Sequence, residues 1–167
     1  MSATGSSVGH ELDAPPWKRV ELTLMATSRA IRRAYDGRLA PLGLNLSQAS
    51  LLAFLDEHGP TTQTSAAHAL AMGRAAAGSI IDGLQRDGFV ERVSDPNDRR
   101  VWLVRLSSSG TRLIPAITSI DEALRGELRA GITKAERHAL AQALVALQAN
   151  LTRVLETLPE KSEAARQ

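Results

Sequence analysis

The apolar residues of this chain change period once, in the middle. Up to Gly88 they recur at the three- and four-residue steps of helices; over residues 89–93 and 101–106 they alternate, and beyond Ser107 the helical spacing resumes. The two alternating runs are rich in Val and Leu, include Trp102, and are joined through "SDPNDRR", whose Pro, Asn and Asp are turn formers. Such a chain has room for one antiparallel hairpin set among helices. The predicted class is therefore mostly α with a small β-hairpin, an α+β fold.

The helical part divides at clear punctuation. Pro15 and Pro16 suit the first turn of a helix, and Val20, Leu24, Ile31, Tyr35 and Leu39 continue it until Pro41 and Gly43. Ser47 caps a second helix carrying Leu51, Leu52 and Leu55, stopped by Gly59 and Pro60. Thr64 or Ser65 caps a short third helix through Leu70, and Gly73 precedes a fourth with Ile80, Ile81 and Leu84 directed to the core. After the hairpin, Ser107 to Ser109 cap a fifth helix with Leu113, Ile117, Ile120, Leu124 and Leu128. Gly131 ends it, and Thr133 with Glu136 forms a capping box for a sixth. There Leu140, Leu144, Leu147, Leu151, Val154 and Leu158 form a heptad seam. Such a seam is either an internal core stripe or the face of a coiled coil. The first and last helices lie outside the middle segment and aromatics make up only 3% of the chain, so pairing with a second copy is the simpler way to bury them.

Composition narrows the chemistry. A chain of 167 residues suits one domain with helical extensions, and no apolar run approaches a membrane span. The small, polar, proline-broken start does not read as a secretory signal, which predicts a cytoplasmic protein with a disordered tail over 1–14. The absence of cysteine removes disulfides, thiolate metal sites and thiol catalysis. His10, His58, His68 and His138 are widely separated, without a pair at ligand spacing on one helix, so no metal or cofactor is expected. "GRAAAGS" lacks the lysine of a phosphate loop, and no nucleophile elbow is present, which argues against an enzyme. A formal net charge of +2 decides nothing about nucleic acid, so the distribution matters more. Arg74, Arg86, Arg92, Arg99, Arg100, Arg105 and Arg112 cluster centrally, interspersed with Asp82, Asp87, Glu91, Asp95 and Asp98.

The element order over 44–106 is that of a winged helix-turn-helix. In "GRAAAGSIIDGLQRDG", Arg74 stands at the helix entrance and Ala75, Ala76, Ala77, Gly78 and Ser79 are small enough for the helix to enter a major groove about 12 Å wide. Alone, this is an ordinary Ala-rich packing helix. The hairpin changes the reading, because Arg99 and Arg100 at its tip are placed to reach a minor groove, where negative potential attracts guanidinium groups. Asp98 beside them is an acceptor suited to hold one guanidinium in a fork. A solvated turn with incidental charges is the bland alternative.

These residues resemble the MarR family of bacterial transcriptional regulators. The likeness runs from about Pro16 to Leu158 and is strongest in "LQRDGFVERVSDPNDRRVWLVRLSSSG", similar to the family's Asp-Pro-x-Asp-Arg-Arg, strand, Leu-Thr and Gly pattern, with Ser107 for Thr. "LNLSQASLLAFL" and "GPTTQTSAAHAL" are similar to its second helix and the entry to its third. The resemblance implies a homodimer on double-stranded DNA with a palindromic operator. Residues 15–43 and 107–158 would form the dimerisation helices, 44–106 the DNA-binding domain and 159–167 a tail. The DNA-contacting set is then Thr64, Arg74, Ala75, Ala76, Ser79, Arg86, Asp98, Arg99 and Arg100, with Asp98 bracing the wing, Arg100 entering the minor groove and Arg99 nearer the backbone. The recognition helix departs from the family's Pro-Ser-Thr followed by Thr and Arg, so few side chains are left for bidentate base contacts. The resemblance also implies a small aromatic or anionic effector, for which Trp17, Arg29, Arg33 and His58 are candidates by element position, and a repressor whose lobes it re-spaces. The competing class is a winged-helix module that binds protein instead of DNA.

Overall fold

A computed structural model describes residues 15–157. The predicted tails over 1–14 and 159–167, and Leu158 at the end of the seam, lie outside the described residues. Those residues form α1 (Val20–Leu39), α2 (Leu46–His58), β1 (Thr61–Thr62), α3 (Gln63–Ala69), α4 (Arg74–Arg86), β2 (Val90–Ser94), β3 (Trp102–Leu106), α5 (Ser108–Arg129) and α6 (Lys134–Glu156). The class is as predicted: mostly helical, with one small antiparallel sheet. The chain divides into two compact units, one ending and the other beginning after Leu124.

Several helix starts differ from the sequence reading, each for a local reason. The prolines 15 and 16 do not open α1; Pro16–Lys18 form a separate 3-10 turn before it. Asn45 rather than Ser47 caps α2. Its side chain accepts from the Gln48 amide at 3.0 Å while the Gln48 side chain accepts from the Asn45 amide at 3.0 Å. Ser47 lies inside the helix, where its hydroxyl accepts from Arg32 at 3.1 Å. Thr62 rather than Thr64 or Ser65 caps α3, its hydroxyl accepting from the Ser65 amide at 3.1 Å. Ser107 and the Thr133–Glu136 box start α5 and α6 as predicted. The Ser107 hydroxyl accepts from the Gly110 amide at 3.0 Å, and the Thr133 hydroxyl accepts from the Glu136 amide at 3.2 Å.

The hairpin is part of a three-stranded sheet in the order β1-β3-β2. β2 pairs with β3 from Val90↔Leu106 to Ser94↔Trp102, and β1 adds Thr61↔Val104 and Thr62↔Leu103 on the other side. Each strand of the hairpin starts one residue later than predicted. The Phe89 amide still bonds to the Leu84 carbonyl at the end of α4, and the Val101 amide closes the turn onto the Asp98 carbonyl at 2.9 Å. Gly110 is required at the sheet's base, because a Cβ there would meet the Phe89 carbonyl oxygen at 2.1 Å.

The core of the first unit joins α1, α2, α3, α4 and the sheet through Leu39, Leu52, Ala66, Ile81, Leu84 and Val104, with Ile117 of α5. α1 contributes only Leu39 as a buried residue, while Val20, Leu22 and Met25 are exposed. In the second unit α6 buries no residue at all, and Leu140, Val145, Leu151, Val154 and Leu155 are exposed. No helix among the described residues is long and apolar enough to cross a membrane.

Candidate nucleic-acid interface

α3 and α4 are joined by the turn 70–73. Ala71 adopts a left-handed φ of 49°, so that its amide reaches the His68 carbonyl and the Met72 amide reaches the Ala67 carbonyl at 2.9 Å. Gln63, the first residue of α3, donates its side-chain amide to the Arg74 carbonyl at 3.2 Å. It does so across the space a Cβ on Gly78 would occupy, 2.8 Å from the Gln63 nitrogen. Gly78 therefore faces α3 rather than open solvent, and Ala77 is 2% exposed in the core. Neither belongs to the small-residue surface that the sequence suggested. What remains exposed on α4 is Arg74, Ala75, Ala76, Ser79, Asp82, Gln85 and Arg86, with Ala75, Ser79, Asp82 and Arg86 at helical steps along one side. Gly73, the N-cap, offers no side-chain acceptor, so the positive end of this helix is not capped from within.

Asp82 would set a negative charge on that surface. It is paired instead: Arg92 on β2 donates to Asp82 at 2.6 Å and also to Gln85. Across the hairpin, Arg105 donates to Glu91 at 2.7 Å. At the tip, the Asp95 carboxylate accepts from the Asn97 amide at 2.7 Å and the Asp98 carboxylate from the Arg100 amide at 3.0 Å. These are short side-chain turns that fix the backbone. Asp98 thus braces the peptide of Arg100, and not a guanidinium fork as the sequence suggested. Arg112 bonds to Ser109 at 2.8 Å. The mixed cluster of charges resolves accordingly. Among the described residues Arg74, Arg86, Arg99 and Arg100 are the exposed arginines of that cluster whose side chains make no ion pair or hydrogen bond.

A lobe of this shape has known counterparts. A family model described as MarR family matches residues 42–101. The HTH-type transcriptional repressor NicR of Pseudomonas putida is 36% identical over 84 residues, 48% of this chain and 53% of that protein. The matched region thus spans about half the length of this curated relative. The solved transcriptional regulator PA3341 is 30% identical, covering 80% of this chain and 98% of that one, with a TM-score of 0.71. This chain belongs to the MarR family. A mutant of E. coli MarR complexed with operator DNA shares its fold at 24% identity, covering 85% of this chain and 99% of that one, with a TM-score of 0.72.

In this MarR-family chain the other predicted residues are dispersed. Thr64 is exposed within α3, one residue beyond its start. Arg29 and Arg33 are exposed one turn apart on α1. His58 closes α2 with its ring stacked on Phe54, centroids 4.4 Å apart, and its Nδ1 is 3.1 Å from the Phe54 carbonyl. No hydrogen bond or ion pair among the described residues links Arg29, Arg33 and His58. Trp17 falls in the 3-10 turn of Pro16–Lys18. The sequence gives no role to Gln63 or Arg92, which tie α4 to α3 and β2. The spacing Asp82, Gln85, Arg92 crosses from helix to strand, so no single period exposes it.

Proposed function

We propose that this protein is a DNA-binding transcriptional regulator of the MarR type, acting in the cytoplasm as a homodimer on a palindromic operator. The observation that carries the reading is the wing tip. Arg99 and Arg100 are exposed and uncommitted there, on a turn already shaped by Asp95 and Asp98. Phosphates therefore meet guanidiniums whose backbone needs no ordering on binding. Arg100 enters the minor groove and Arg99 lies nearer the backbone. Arg74 and Arg86 flank α4 as it enters the major groove, with Thr64 beside it, while Ala75, Ala76 and Ser79 offer little beyond contact with thymine methyl groups. Specificity then leans on groove width and deformability.

The dimer reading rests on the apolar side chains that α1 and α6 leave exposed. Residues 15–43 and 107–158 supply the dimerisation helices and 44–106 the DNA-binding part. Two recognition helices entering successive major grooves need a spacing of about 34 to 36 Å. A small aromatic or anionic effector that favours another spacing, held near Trp17, Arg29, Arg33 and His58, releases the DNA by population shift. NicR, a repressor, supports repression as the outcome.

The test is selection of bound duplexes from a randomised pool, followed by anisotropy titration of the recovered sequence. Arg100→Ala is expected to weaken binding severely while light scattering still reports a dimer. Retention of a protein partner independent of salt, with no duplex recovered, would replace this reading with that of a protein-interaction module.

A further inference from the structure

Trp102 is the one large apolar residue of the sheet that stands open to solvent among the described residues, at 60% exposure. Its place in the register explains why. Alternation along β3 puts Trp102 on the same face as Val104, which is 2% exposed in the core. The core ends before the strand does. Opposite Trp102 stands Ser94, too short to cover an indole, and β1 pairs with β3 only at Leu103 and Val104. At Trp102 the sheet has therefore narrowed from three strands to two, and the ring stands uncovered among the described residues.

Its neighbours say what would. Arg100 precedes Trp102 by two residues, so their Cα atoms lie at most about 7 Å apart. The nearby carboxylates of Asp95 and Asp98 are occupied by backbone amides, and the adjacent guanidiniums are uncommitted. An exposed aromatic beside two free cations is complementary to a polyanion with apolar sugar edges. We propose that Trp102 is a further DNA-contacting residue, its indole seated on the deoxyribose wall of the minor groove beside the point where Arg100 enters. This rests on the DNA-binding reading above. Its contribution differs in kind from that of the arginines. Burying an indole releases water, whereas neutralising a phosphate releases a counterion, so only the arginine contacts set the salt slope.

The experiment compares Trp102→Ala, Trp102→Phe and Arg99→Ala with the unaltered protein, by anisotropy on the duplex recovered by selection, over a range of salt. Trp102→Ala is expected to lose on the order of tenfold in affinity at every salt concentration with its slope unchanged. Trp102→Phe is expected to recover part of the loss, and Arg99→Ala to flatten the slope by about one. The unaltered protein should show a tryptophan emission change on adding that duplex, absent from Trp102→Phe. Binding by Trp102→Ala equal to that of the unaltered protein overturns the proposal and leaves the DNA-binding reading standing. So does an emission change that follows protein concentration without DNA and is absent from Trp102→Phe, which retains Trp17; it assigns the Trp102 indole to a second copy. Failure of the unaltered protein to bind any duplex overturns both.

Discussion

α4 and α6 are both amphipathic, and they are held in opposite ways. α4 is short, begins at a glycine that gives it no side-chain cap, and is secured by Ala77, Ile81 and Leu84 in the core. α6 spans 23 residues, begins with a complete capping box, and buries nothing. α4 therefore takes its stability from tertiary packing, which leaves its first turn without a side-chain cap and one side exposed. The terminal helix takes what it has from local hydrogen bonds and keeps its apolar side unspent. Amphipathic periodicity alone says that a helix has an apolar face. The start of the helix and the fate of that face tell which helix packs into the lobe and which keeps an apolar face exposed.

The strongest way to break this contrast is to empty the site that α4 depends on. Leu84→Ala removes a side chain that is 0% exposed and should cost about 2–5 kcal/mol, read as a large fall in the denaturant midpoint. A small fall would mean that α4 is not anchored by its core face. The next effect is on assembly. Leu151→Asp on the exposed side of α6 is expected to convert dimers to monomers in sedimentation velocity while the helical circular dichroism of the lobe persists. An unchanged dimer would remove α6 from the interface.

The smallest effect sharpens the other half of the comparison. Hydrogen bonds from the Thr133 side chain and amide hold the Glu136 carboxyl below the usual carboxylate range. A carboxyl depressed in the folded state contributes stability above its unfolded pKa, and that stability is lost as pH falls through the folded value. Glu136→Gln should therefore lower Tm slightly at neutral pH, with the difference closing on acidification. An equal difference at all pH values would show that the charge plays no part in the cap.

How far the sequence could be read follows the same division between local and long-range signals. The Thr133–Glu136 box and the helical spacing of Leu140 to Val154 are local patterns: the box caps α6 as predicted, and the helix runs through those residues. The wing was legible because its alternation and turn residues are contiguous. β1 was not: two threonines are too short to display any period, and their pairing with Leu103 and Val104 is remote in sequence. The same blindness displaced the cap of α3, since Thr62 looks like a loop residue until β3 is beside it. Smallness suits both groove entry and close packing; burial in the core decides for Ala77 and the position of Gln63 for Gly78. Asp98 was read as a partner of side chains, whereas its nearest donor is the backbone amide two residues on.

Thr62 connects two parts of the lobe by itself. Its backbone lies in the sheet opposite Leu103, while its hydroxyl holds the first turn of α3. On the DNA-binding reading proposed above, force applied to the wing by a bent or narrowed duplex would reach the helix-turn-helix through Thr62 at the start of α3 and through the Arg92 contacts to Asp82 and Gln85 on α4. Bending the DNA and seating α4 would then be a single mechanical event, and a duplex too stiff to yield at the wing would resist the helix as well.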